Sequence, residues 1–424
     1  MSDRQAGGPS RRRLFAAAGG LLAASGTGFA ARSAEAIPKP QGGIEAFWGP
    51  HQAGIATTQQ SHVYFAAFDL TTTKRDDVAS LLRLWTNAAA RLTSGMPIEP
   101  AKLDPGYDQD GETIIPDSGD ALGLTPARLT VTFGLGPGLF AKDNQDRYGL
   151  AGRRPDAFVD LPKFTGDQLV EAQTGGDLAI QACADDPQVA FHAVRQLALL
   201  ADGVAAVRWV QTGFLSNPAG GGTPRNLMGF KDGTQTPQPI DKAVWVGNDG
   251  PGWMQGGTYL VVRRIRIALE HWDRTKTDFQ EQTIGRHKVS GAPLGLKDEF
   301  APLGLDRVDA DGNPIIPEHA HVRMANAANI GAADFMRRSY SYNDGVSFVA
   351  ERWPPWRQGM EYDAGLLFIC YQKDPRTGFI KTFTDMAKFD MLNQFTTHVG
   401  GGIFACPGGA REGDFIGAGL FAAG

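Results

Sequence analysis

The alternation of apolar and polar residues divides the chain into two stretches that follow the same order of elements. In the first, residues 62–70 read as a strand. A helix follows, with Thr73 as its expected cap and Asp76 three residues on. Val78, Leu81, Leu82, Trp85, Ala89 and Leu92 then recur at the spacing of one helical face. A long loop, about residues 94–125, leads to an alternating strand at 129–133. Next come a strand at 178–183, a helix opening at Asp186-Pro187 with Ala190, Val194 and Leu197 on one face, and a strand at 207–211. Strand, helix, strand, strand, helix, strand is the order of a ferredoxin-like unit.

The second stretch repeats that order less regularly. Residues 259–267 read as a strand, about 273–285 as a polar helix, 366–371 as a buried strand, about 384–397 as a helix and 403–406 as a closing strand. Element order, rather than residue identity, therefore predicts an α+β fold of duplicated ferredoxin-like units with antiparallel sheets. The units are expected at residues 45–215 and 216–424, divided at a Pro/Gly-rich break over 216–224. Two such halves let their sheets pack together and leave a pocket between helices and sheet.

Composition narrows the picture modestly. A length of 424 residues favours two domains, and a net charge of -5 offers no footprint for nucleic acid or an anionic membrane. The 54 glycines and 26 prolines fit long ordered loops. Residues 1–36 read as a leader outside the fold. Ser10-Arg11-Arg12-Arg13-Leu14-Phe15 is a twin-arginine pattern, and the weakly apolar run behind it is broken by Gly19, Gly20, Gly26, Thr27 and Gly28. Ala34-Glu35-Ala36 then supplies a small-x-small cleavage site. The expectation is a cleaved signal for twin-arginine export, to a periplasm or beyond the cell. That route carries folded proteins, often with a cofactor already inserted. No later segment is long and apolar enough to span a membrane. Cys183, Cys370 and Cys406 are odd in number and widely spaced, which argues against a disulfide framework and for small buried hydrophobes.

Three further stretches carry candidate chemistry. In Arg225-Asn226-Leu227-Met228-Gly229-Phe230-Lys231-Asp232-Gly233-Thr234 one acid stands among small and flexible residues. Asp-Gly is a common turn dipeptide, so a turn is the plain reading, and a carboxylate aimed inward is the functional one. Glu318-His319-Ala320-His321-Val322-Arg323-Met324-Ala325-Asn326 holds two histidines that cannot share a site on a helix and can on a strand. No carboxylate or cysteine cluster accompanies them at zinc spacing. A single neutral imidazole is enough to hold haem iron, although a lone histidine is more often simply a surface or core residue. In Met336-Arg337-Arg338-Ser339-Tyr340-Ser341-Tyr342, adjacent arginines mean either a solvated surface or one buried arginine held by an acid beside one exposed.

Five blocks in this order resemble one family. They are Gly-Pro-His-Gln-Ala-Gly-Ile from Gly49, Gly-Phe-Lys-Asp-Gly-Thr from Gly229, His-Val-Arg-Met-Ala-Asn from His321, Arg-Arg-x-Tyr-Ser-Tyr from Arg337, and Gly-Gly-Gly-Ile-Phe-Ala-Cys-Pro-Gly from Gly400. Over essentially the whole mature chain they look like the dye-decolourising peroxidases, in particular the twin-arginine-exported deferrochelatase/peroxidase branch. The resemblance implies one haem b per chain in a pocket of the C-terminal half, its iron on His321. Asp232 matches the distal acid and Arg337 the distal arginine. Gly233, Thr234 and Gln235 match a stretch lying against the haem, and Asn326 opens a second with Ala327 and Ala328. Relatives tend to continue Asn-Pro-Arg there. If that arginine pairs with a haem propionate, its replacement must come from elsewhere. His319 is the rival ligand, and the register His-x-Arg-x-Ala-Asn favours His321. Asp385 and Asp390 are candidates to accept the ligand's second N–H.

The implied reaction is reduction of hydrogen peroxide with oxidation of phenolic or dye-type donors. Asp232 would shuttle a proton between the peroxide oxygens while Arg337 stabilises the departing one. The alternative is an extracytoplasmic iron-uptake component that releases iron from haem or oxidises ferrous iron. A non-enzymatic haem carrier has no need of Asp232 and Arg337. The implied partners are peroxide and a small aromatic reductant, with iron-uptake proteins and a homo-oligomer left open. Trp353, Trp356, Tyr340 and Tyr342 are candidates to carry electrons from the surface, each with core packing as its plainer role.

Overall fold

The computed structural model describes residues 43–98, 117–216, 218, 221–234, 240–350 and 358–422. The twin-arginine segment, much of the loop expected at 94–125, and Gln235, Trp353 and Trp356 lie outside them. The first stretch folds as β1 (His62–Leu70), α1 (Arg75–Thr93), β2 (Thr130–Leu135), β3 (Leu178–Ala184), α2 (Pro187–Leu200) and β4 (Ala205–Phe214). The second contains the strands β5 (Thr258–Ile267), β6 (Met336–Arg337), β7 (Tyr340–Ala350), β8 (Gln358–Gln372) and β9 (Thr396–Cys406). Its helices are short: α3 (Ile240–Val244), α4 (Leu269–Trp272), α5 (Thr277–Ile284), α6 (His321–Met324), α7 (Ala327–Ile330), α8 (Lys381–Phe389) and α9 (Ala418–Phe421).

All strand pairs are antiparallel, and they run β2-β3-β1-β4 in the first half and β9-β5-β8-β7 in the second. Fourth, first, third, second is thus the order in both halves. The bridges Leu135↔Ala405 and Phe214↔Ser341 join the two sets into one barrel-like closed sheet, with β6 alongside the end of β8. Closure leaves few free edges. The period of two sends Val63, Phe65 and Ala67, Leu260 and Val262, Leu367, Ile369 and Tyr371, and Phe404 and Cys406 into the interior. The outer face packs against the helices, and Trp85 of α1 donates to Leu197 O of α2 at 2.7 Å.

Blocks far apart in sequence meet here. The Gln52 side chain donates to Phe133 O at 3.0 Å and Pro407 O at 2.9 Å, and accepts from Phe133 N–H at 2.8 Å. The first and last of the five blocks therefore seal the barrel. Cys183, Cys370 and Cys406 are free and fully buried.

Some boundaries differ from expectation, each for a local reason. Lys74, not Thr73, occupies the cap of α1. Thr72 accepts from Lys74 N–H at 3.1 Å and donates to Asp77 at 2.6 Å, so the expected box from Thr73 to Asp76 does not form. The polar helix over 273–285 is the shorter α5, set apart from the single turn of α4 before it and ended by Gly285 at φ +90°. The helix expected to reach residue 397 stops at Phe389. Asp390 is extended and its carboxylate accepts from Leu392 N–H at 2.8 Å, opening a new turn in place of the ladder. Strands β6 and β7 had been read only as a motif.

On the outer face of β5, Arg263 is buried, paired with Asp167, and donates from Nε to His398 Nδ1 at 3.0 Å. That imidazole must be neutral to accept. Burial first, and the Arg263 charge second, hold its pKa well below the ordinary histidine value. The unfolded chain binds a proton there that the native one refuses. Stability should therefore decline as pH drops below about 6.5, by up to about 1.4 kcal/mol per pH unit from this group. Urea unfolding between pH 7 and pH 5 measures this, and His398→Gln should flatten the slope; equal slopes in the two proteins refute the assignment.

Candidate active site

The acid sits on a tight hairpin whose arms meet at the Arg225–Lys231 bridge. Asn226 builds the turn. Its N–H donates to Phe230 O at 3.0 Å, and its Oδ1 accepts from Met228 N–H at 3.1 Å and Phe230 N–H at 3.2 Å. Gly229, at φ +84°, takes a conformation that a side chain would strain. The turn expected at Asp232-Gly233 thus lies four residues earlier, where a side-chain acceptor closes it. Asp232 is in the outgoing arm, its N–H on Pro224 O at 2.8 Å. Met228 and Phe230 enter an apolar cluster with Ile267, Trp272, Ile284 and Phe395, against which Val322 and Leu392 also pack.

Arg337 reaches Asp232 from β6, with Nη1 donating to Oδ1 at 3.2 Å. The neighbouring Arg338 points the opposite way, into the barrel, where it donates to Thr57 O and Gln60 Oε1. One arginine is buried and one exposed, as one sequence reading had it, but the acid belongs to the exposed one. Tyr340 and Tyr342 are wholly buried in the core, which gives them the plainer of their two roles.

His321 opens α6, and its Nδ1 lies 2.7 Å from Asp390 Oδ2. A carboxylate only accepts, so Nδ1 donates and Nε2 carries the lone pair. Asp390, not Asp385, is the partner. The side chain is 28% exposed, so it does not fill the core. Burial pushes the imidazole pKa down; the charge and hydrogen bond of Asp390 outweigh this, and the net shift is upward. Arg337 and Asp232 also act on that pKa, in opposite directions, so the ion pair lies within electrostatic reach of the imidazole. Val322 is held against Gly285, where an added Cβ would stand 2.5 Å from it. His319 is exposed and stacks on Phe389 at 5.7 Å.

The remaining expected residues divide. Gly233, at φ +109°, has open space where its Cβ would point, and Thr234 donates to Glu299 at 3.3 Å. Asn326 spends its side-chain oxygen capping α7, on Asn329 N–H at 2.9 Å, and Ala327 and Ala328 form that helix's first residues. The cation beside α7 is Lys381, whose Nζ would lie 3.7 Å from a Cβ on Gly331. Glu299 and the Asp390 cap on Leu392 carry no periodic or motif signal, and an Asn three residues before a Gly-Phe pair is the local hint of the turn.

Residues 52–215 match the family model for Dyp-type peroxidase, N-terminal, and residues 223–411 that for Dyp-type peroxidase, C-terminal. The chain belongs to the Dyp-type peroxidase family. Among Dyp-type relatives, a dye-decolorizing peroxidase of Thermobifida fusca is 39% identical across 92% of this chain and 85% of its own. A deferrochelatase of Escherichia coli K12 is 35% identical across 97% of both. The crystal structure of a DyP-type peroxidase from Streptomyces coelicolor superposes with a TM-score of 0.79 at 38% identity, covering 90% of this chain and 97% of that one. The protein is accordingly an enzyme of the haem-dependent peroxidase class. Its residues suit that group. Among the described residues no three His, Cys, Asp or Glu side chains converge on a metal site. A lone oriented imidazole with a free Nε2 suits an iron whose other ligands come from a macrocycle.

Proposed function

We propose that the protein is a haem b peroxidase that holds one haem through His321, reduces hydrogen peroxide and oxidises phenolic or dye-type donors. The observation that carries this is the Asp232–Arg337 pair lying within electrostatic reach of the Asp390-oriented imidazole. Haem, when bound, would supply the iron at which peroxide reacts and hold the two oxidising equivalents that two electrons from a donor then discharge. The protein's own work is proton and charge management. Asp232 accepts the proton of the inner peroxide oxygen and returns it to the outer one, which leaves as water, so the carboxylate ends as it began. Arg337 gives one N–H to Asp232 and has four others for the charge developing on the departing oxygen. Asp390 fixes His321 in the tautomer that presents Nε2 and makes it a more basic ligand. Gly233, Thr234 and Gln235, and Asn326 with Ala327 and Ala328, are proposed to lie along the haem, with Lys381 in place of the arginine that relatives carry near the second stretch.

The two halves are read as duplicated ferredoxin-like units over 45–215 and 216–424, supported by their shared strand order. Export through the twin-arginine route rests on Arg11, Arg12 and the cleavage pattern at 34–36. Release of iron from haem is the second reading, favoured by the relatives named deferrochelatase.

His321→Ala should abolish the Soret band of the purified protein; a normal haem spectrum in that variant rejects the ligand assignment. Asp232→Asn should keep its haem and lose about 100- to 10,000-fold in the rate of reaction with peroxide, the usual contribution of a positioned acid–base. A stopped-flow rate equal to wild type would leave Arg337 as the essential distal group. Incubation of the pure protein with haem, followed by fluorescence of free protoporphyrin, decides whether iron release accompanies peroxidase activity.

A further inference from the structure

The loop over residues 286–299 grips the distal hairpin at several points. Arg225 donates to Gly229 O at 2.8 Å, closing the hairpin, and to Lys288 O at 2.6 Å and Val289 O at 2.7 Å. Lys231 pairs with Glu299, and Thr234 donates to the other Glu299 oxygen at 3.3 Å. Thr223 hydrogen-bonds the same carboxylate. One side chain, only 10% exposed, thus ties the residue before Asp232, the residue two after it, and the entry to the hairpin.

The platform under this contact is itself fixed. Buried Arg286 donates from one nitrogen to Gly291 O at 2.7 Å and Glu299 O at 3.0 Å. Gly291 makes room for the lysine stem: a Cβ there would stand 2.6 Å from Lys231 Cδ and 3.4 Å from Glu299 Cγ. An ordinary surface ion pair contributes little. This one is packed into a glycine-lined socket and shared among three donors, and its location decides its effect. Lys231 precedes the acid in sequence; released, its long flexible stem would put an ammonium within reach of the Asp232 carboxylate, in competition with Arg337.

We propose that Glu299 is a positioning residue for peroxide cleavage: by holding Thr223, Lys231 and Thr234 it fixes the backbone on both sides of Asp232 and keeps Lys231 off the acid. The proposal rests on the acid–base reading of Asp232. Burial alone would raise the Glu299 pKa, but the hydrogen bonds of Lys231, Thr223 and Thr234 and the lysine charge hold it below the ordinary carboxylate range. The carboxylate therefore stays charged, and the clamp closed, until the pH has fallen past that range.

Glu299→Gln keeps the volume and removes the charge. In the haem-free protein, hydrogen exchange over residues 223–234, where Asp232 N–H is bonded to Pro224 O, should speed up about tenfold or more, with β1 unchanged. In the haem-loaded enzyme the peroxide rate constant should drop about 10- to 100-fold, the scale of a small misplacement of a reacting group. Haem content and the KM for the aromatic donor should stay as in wild type. Glu299→Asp, which retains the charge, should recover part of the rate. If Glu299→Gln does not fold, Lys231→Met removes the same tie from the other side and should loosen the same peptide. Wild-type exchange over 223–234 in whichever variant folds, or a wild-type peroxide rate beside faster exchange, overturns the proposal. Asp232→Asn run in parallel keeps the two readings apart. Its wild-type rate would remove the acid–base role, whereas unchanged exchange in Glu299→Gln removes the clamp.

Discussion

The contact of Asp232 with Arg337, 3.2 Å across two segments 105 residues apart, is the constraint to which the rest of the structure answers. The pair is not there for stability. Both side chains are partly exposed, 28% and 37%, and pairs so open to water contribute little. Its value lies in keeping an acceptor and a cation side by side at an opening, which neither side chain would maintain alone. Each is short of support from its own element: Asp232 lies on a hairpin arm and Arg337 on a strand of two residues.

The structure meets this with one device on both sides of the site. A reactive side chain stands at the end of a regular element, and a mostly buried carboxylate from another segment sets its direction. On the proximal side Asp390, 3% exposed, orients His321 and at the same time caps the turn that carries it there. On the distal side Glu299, 10% exposed, does the same through the residues flanking Asp232. The cluster of Met228, Phe230, Ile267, Trp272, Ile284 and Phe395, touched by Val322 and Leu392, runs behind both. Burying that much apolar surface in one body makes the spacing between the two sides a property of packing, not of loop conformation.

The strands and long helices were legible because their apolar spacing is repeated many times. β1 keeps its expected bounds, and every residue expected on the apolar face of α1 is buried. Legibility stopped where a single side-chain hydrogen bond outvotes periodicity. Thr72 displaces the α1 cap, Asp390 ends α8 early, and Asn226 moves the turn away from Asp-Gly. The same bonds build the site, so its scaffold was the least readable part of the chain. His321, Asp232 and Arg337 were reached through resemblance and are brought together by the fold. Asp390 stood as one of two candidates, and Glu299, alone in a loop without pattern, had no signal at all.

The adjacent arginines show why the barrel matters to the chemistry. On a helix, neighbours point about 100° apart; on a strand they take opposite faces. β6 therefore sends Arg337, its last residue, outward to Asp232, and Arg338 just past it points inward, where Thr57 O and Gln60 receive it, while Gln59 donates to Ser339 O at 2.8 Å. Thr57, Gln59 and Gln60 belong to the first half of the chain, whereas Asp232, His321 and Arg337 all belong to the second. The N-terminal half carries none of the reactive groups, but it holds the strand that presents one of them. A buried guanidinium without a carboxylate is costly unless its N–H groups are met by oxygens. Thr57 O and Gln60 Oε1 meet the two terminal nitrogens, while Nε has no partner, and these bonds fix the end of β6 against the first half along the barrel interior. The position of the distal arginine is thus set by both halves together, and a C-terminal half on its own would keep the acid and the imidazole while losing the anchor that aims the cation between them.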